Sequence, residues 1–86
     1  MSTDRALPDN WPMIVAVRLA LSPAYLDRLM RRDTRFHETC MDYAECAVAV
    51  RQATSQSPAD FLRIREYRQL ELEIITELEG QLRRIA

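Results

Sequence analysis

The chain has no lysine; all 12 of its basic residues are arginine. It also has only one glycine and two cysteines in 86 residues. Each shortage excludes something. A lone glycine, Gly80, cannot build the glycine-rich turn that cradles a phosphate, so P-loop and dinucleotide-binding readings fail at the first step. Cys40 and Cys46 on one helix would stand about 9 Å apart along its axis, too far for a bridge within the chain. Without a disulfide framework, and with Asp4 and Asp9 beside Arg5 where a secretory signal would be basic, a reducing cytosol is the expected compartment. The apolar run from Met13 to Leu21 is broken by Arg18 and falls far short of a bilayer span, so no membrane partner is expected. A formal charge of −1 argues against a protein built to neutralise nucleic acid phosphates. Arginine-only usage fits bidentate pairing with carboxylates or phosphates, or simply the codon habit of a GC-rich genome.

What is present is helical periodicity. Leu26, Leu29, Asp33, Phe36, Cys40, Tyr43, Ala47, Val50 and Thr54 follow one another at spacings of three and four. That spacing lays one row of side chains along a helix, and most of the row is apolar. A second amphipathic segment follows the Gln56-Ser57-Pro58 turn. The hydrophobic fraction of 48 % suits a globular chain, and 86 residues make one domain near the lower size limit for a self-sufficient core.

Punctuation refines the reading. Ser22-Pro23 starts a helix, with Ser as cap and Pro in the first turn. Ser57-Pro58-Ala59-Asp60 repeats the device, and Asp33-Thr34 interrupts the first row where either side chain can cap a new helix. The expected architecture is therefore all-α: an antiparallel two-helix hairpin at about 34–55 and 58–85. Short N-terminal helices should pack on its end. Asp9 or Asn10 is the candidate cap for the first of them. Residues 11–21 read as a short helix, although their Val and Ile content would also suit a strand. Residues 1–9 should be disordered. At 1.5 Å per residue the two long helices span roughly 33 Å and roughly 42 Å, leaving surplus apolar surface around Leu78, Leu82 and Ile85 for residues 11–32 to cover. In an antiparallel hairpin turning near Gln56, residues whose numbers sum to about 113 share a height. That rule puts Arg31, Arg32 and Arg35 near Glu77 and Glu79, and Glu71 near Asp42 and Tyr43.

The stretch Leu29-Met-Arg-Arg-Asp33-Thr-Arg35-Phe36, followed by Tyr43 and Val50, resembles the YdcH-like family of short bacterial proteins of unknown function. Its members tend to show an acidic or Asn residue, Pro, Arg and Phe, then Tyr or His seven later, then an apolar residue. Asp33, Arg35, Phe36, Tyr43 and Val50 fill those places, and Ile64 to Leu82 is similar to the family's charge-rich second helix. The resemblance covers about residues 25–83. Thr34 departs from it, standing where Pro is common, and so does Glu71, which stands on the core-facing row. The resemblance implies a coiled-coil-like hairpin without catalytic residues or cofactor, and brings no activity with it.

Few residues invite chemistry. His37 and Cys40 share a face, and a symmetric dimer would offer a His₂Cys₂ set for zinc; the plainer reading makes Cys40 a small core residue. Glu71 falls within the apolar arc of the second helix, either setting register at a dimer seam or lying half-exposed. Trp11 either anchors a partner groove or closes the end of its own core. Arg28, Arg31, Arg32 and Arg35 form a possible basic face for nucleic acid or an acidic partner, with pairing inside the chain as the alternative. Gly80 either allows close approach opposite Asp33 or marks fraying. The functional expectation is a small non-enzymatic interaction module, self-associating as a homodimer or docking on an unknown protein. The expected contact residues are Met30, Phe36, Met41, Ala44, Val48, Glu71, Ile74 and Leu78. Binding of nucleic acid or an acidic partner through Arg28 to Arg35 is the alternative.

Overall fold

A computed structural model describes residues 7–86. Those residues form four helices and no strand: α1 (Trp11–Leu19), α2 (Pro23–Arg32), α3 (Thr34–Ser55) and α4 (Phe61–Ile85). The all-α expectation and the break at Asp33 both hold. Residues 11–21, ambiguous in sequence, contain α1. The expectation of a loose start concerns residues 1–9, of which 1–6 lie outside the described residues; Leu7 packs against the core.

Local chemistry sets the boundaries. Ser22 Oγ accepts from the Tyr25 N–H at 3.2 Å and starts α2. Asp33 Oδ1 accepts from the Phe36 N–H at 2.9 Å and starts α3, so a carboxylate at a helix N-terminus restarts the helix without proline at position 34. The cap of α4 differs from the expectation. It is Asp60, accepting from the Arg63 N–H at 3.0 Å, and not Ser57. The carboxylate is the stronger acceptor at the positive end of a helix, and it leaves residues 56–60 to make the turn. Asn10 takes the cap position of α1 without a side-chain hydrogen bond. That helix ends at Ala20, which holds φ 58°, the left-handed conformation usually given to glycine. The Leu21 N–H then closes the turn on the Ala16 carbonyl at 2.9 Å.

The hairpin of α3 and α4 is the backbone of the molecule, and α1 and α2 both pack on α3. One core gathers Val15 from α1, Leu26 and Leu29 from α2, Phe36 and Cys40 from α3, and Ile75 and Leu78 from α4. Leu82 and Ile85 pack on the edge of that core, while α1 and α2 make their main contacts with α3 and not with α4. Antiparallel register is visible in three cross-links. Tyr43 Oη donates to Glu71 Oε2 at 3.0 Å, the Cys46 thiol donates to the Tyr67 carbonyl at 3.0 Å, and Arg35 meets Glu77 at 3.9 Å. Arg31 does not reach α4; it pairs with Asp27 one turn earlier at 2.8 Å. The break at Asp33 takes α2 off the axis of α3, so the height rule stops applying there.

Gly80 faces no neighbouring chain. A Cβ placed on it would meet only the ends of the flexible Arg83 and Arg84 side chains, at 3.9 and 4.0 Å. The close-approach reading is therefore replaced by an ordinary helical glycine. Gly80→Ala is expected to raise stability by about 0.5–1 kcal/mol, read as a higher urea midpoint at unchanged slope.

Candidate docking surface

The two ends of the hairpin are built differently. Near Leu78 four helices share a core of large side chains. Toward the tip, α3 and α4 continue beyond that core, where Cys46, Val50 and Ala53 are the buried apolar residues among those described and Ile64 and Tyr67 of α4 are half-buried. Small residues bring the helices together but leave little interior to hide large apolar groups. Phe61 is accordingly 79 % exposed, Leu62 69 % and Leu70 45 %.

Along Leu70 an open trough of about 530 Å³ runs between the helices. Asp42, Glu45, Cys46 and Ala49 of α3 line one wall, and Tyr67, Leu70 and Ile74 of α4 the other. A shallow extension of about 70 Å³ continues toward the tip past Ala49 and Tyr67 to Gln52, Ala53, Gln56 and Arg63. The trough thus sets the carboxylates of Asp42 and Glu45 on the α3 wall across from an apolar α4 wall, and its extension adds amides and Arg63. Burial pushes the Cys46 thiol up, helped by the negative charge of Glu71. A protonated thiol tied to the Tyr67 carbonyl is a poor nucleophile, so this surface is suited to contact and not to thiol chemistry.

The residues singled out in sequence distribute unevenly. Met30, Phe36, Ala44 and Leu78, expected at a contact with another chain, are instead buried in this chain's own core. The reason is that α1 and α2 cover the side of α3 that the pattern left open. Met41, Val48, Glu71 and Ile74 are half-buried, and of the eight only Ile74 lines the trough. Cys46, Ala49, Tyr67 and Leu70 were missed. Leu70 and Tyr67 lie one and two turns before Ile74 on α4, and that row was the available signal.

His37 and Cys40 do not form an accessible pair. Cys40 is fully buried, with its thiol pushed up to about 12 by that burial, and His37 stacks on Trp11 with ring centres 5.8 Å apart. The stacking also assigns Trp11 to closing its own core. Among the described residues no group of three or more His, Cys, Asp or Glu is placed to hold a metal ion. Within the basic face, Arg31 is paired with Asp27, Arg35 with Glu77, and Arg28 lies over the Tyr25 ring at 5.8 Å; Arg32 is exposed. A face whose cations are engaged inside the chain has less charge to offer a phosphate backbone. Among the described residues no helix is long and apolar enough to cross a membrane.

No family model, curated protein or solved structure matches this chain.

Proposed function

We propose that this chain is a small non-enzymatic protein–protein interaction module, a helical hairpin whose bare tip-side trough docks another polypeptide by self-association or as an adaptor. The observation carrying this reading is the open trough between α3 and α4, on whose wall the exposed Leu70 stands with Tyr67 and Ile74. Large apolar groups beside an unfilled apolar groove mark a contact surface, and covering each would contribute about 1–2 kcal/mol. The resemblance to YdcH-like hairpins, through Asp33, Arg35, Phe36, Tyr43 and Val50, belongs to the same reading. So does a reducing cytosol, in which Cys40 and Cys46 remain the free thiols they are here.

Leu70→Glu is the test. It places a charge on the trough wall at an already exposed position, so helicity by circular dichroism should be retained. Association, measured by sedimentation and by cross-linked capture from the native host, should be lost. A variant that associates as the parent does would sink the proposal.

A further inference from the structure

We infer that the tip of the hairpin is a second contact surface, which docks on an anionic lipid bilayer by inserting Phe61 and Leu62 while Arg51, Arg63 and Arg65 meet the headgroups. This goes beyond the trough, since neither apolar residue lines it or its extension.

Phe61 and Leu62 open α4 directly after the chain reverses at residues 56–60, and they are 79 % and 69 % exposed. Residues 52–59, which lead up to them, carry no charge. Apolar groups that project from a chain reversal offer no wall on which a peptide could lie; a fluid surface that yields to them is the fitting partner. Charge selects the kind of surface. Between Glu45 and Glu66 the sequence has Arg51, Arg63 and Arg65 against Asp60 alone. The three arginines are exposed, and none forms an ion pair with a described residue. Asp60 is committed to the Arg63 N–H as the cap of α4. A chain of net charge −1 with a basic tip is acidic elsewhere, so an anionic surface attracts this end and repels the rest. An apolar anchor beside a basic cluster supplies the two signals that stable interfacial binding takes. Crossing a bilayer demands a long apolar helix, which is absent among the described residues; resting on one does not.

Co-sedimentation of the full chain with phospholipid vesicles tests the docking. Vesicles of phosphatidylcholine with about 30 % phosphatidylserine should bind the chain, and vesicles of phosphatidylcholine alone should bind it about tenfold more weakly or less. Arg63→Glu with Arg65→Glu should lower affinity for the anionic vesicles about tenfold or more, and added NaCl should weaken the parent's binding. Phe61→Ser with Leu62→Ser should lower it by about as much. All four positions are exposed, so helicity by circular dichroism should be unchanged. Insertion has its own readout. Trp11, the only tryptophan, stacks on His37 at the opposite end of α3 from the tip. Brominated lipid should therefore leave the parent's fluorescence unquenched and quench that of the Phe61→Trp variant.

A parent chain that ignores anionic vesicles overturns the inference, as does Phe61→Trp fluorescence untouched by brominated lipid. Serine variants that sediment as the parent does reduce the contact to unspecific charge attraction and overturn it too. If vesicles are not bound but the serine pair abolishes capture of another protein, the tip belongs to a protein partner and the lipid assignment is wrong. Docking through the trough is tested separately by Leu70→Glu, which leaves the tip untouched.

Discussion

Replacing Phe36 with alanine is expected to cost about 3–5 kcal/mol and to leave much of the chain unfolded at 37 °C. The side chain is fully buried at the first turn of α3, and it shares a core with Val15, Leu26, Leu29 and Leu78. All four helices therefore contribute to its surroundings. No nearby loop can collapse into the space, because Asp33 fixes the start of α3 through the Phe36 N–H itself. A domain of this length has roughly 4–13 kcal/mol of total stability, so the loss is a large fraction of it. The urea midpoint should fall steeply, and the thermal midpoint by roughly 15 °C or more. Phe36→Leu keeps most of the volume and should cost far less. A Phe36→Ala loss below about 1.5 kcal/mol would mean that the helices do not meet around this ring.

The ring's importance was visible in the sequence, and so was much of the hairpin. The three-and-four spacing from Leu26 to Thr54 reports a helix because period is a property of the chain alone. Asp33 read as a cap for the same reason, and the numbering sum found Tyr43 opposite Glu71. What stayed hidden depended on a third body. Met30 and Ala44 looked like contacts for another molecule because nothing in their spacing says that α1 and α2 will fold over α3. The turn between those helices carried no glycine to announce it, since Ala20 adopts the left-handed conformation itself. The trough was illegible for a different reason. It consists of space left by small residues, Cys46 and Ala49, and an unfilled volume has no sequence pattern.

The absence of lysine gives the second large effect, an alkaline unfolding transition owned by thiols and phenols. In most proteins lysines titrate between pH 9 and 12 and blur that window; here none exist, and arginine stays charged throughout. Burial pushes Cys40 up to about 12. Tyr43 also rises to about 12, first through burial, then through its hydrogen bond to Glu71 and the charge of that carboxylate, with Arg18 opposing. Both groups hold their protons more tightly folded than unfolded. Their contribution is complete below the unfolded-state values and is lost as pH rises toward 12. On the order of 4 kcal/mol would go with Cys40 and on the order of 3 kcal/mol with Tyr43, converting each rise at 1.36 kcal/mol per unit. Urea midpoints measured from pH 8 to 12 should therefore decline continuously. Cys40→Ala should be less stable than the parent at pH 7, by about 1–2 kcal/mol for the lost sulfur, yet show the flatter decline. The two stability curves then converge and cross as pH rises toward 12, because the parent's loss on ionising its buried thiol exceeds its advantage at pH 7. Parallel curves would place the alkaline weakness elsewhere and remove Cys40 from the sealed core. Tyr43→Phe should flatten the upper part of the same window, since it deletes the phenol whose ionised form would face Glu71 with little water between them.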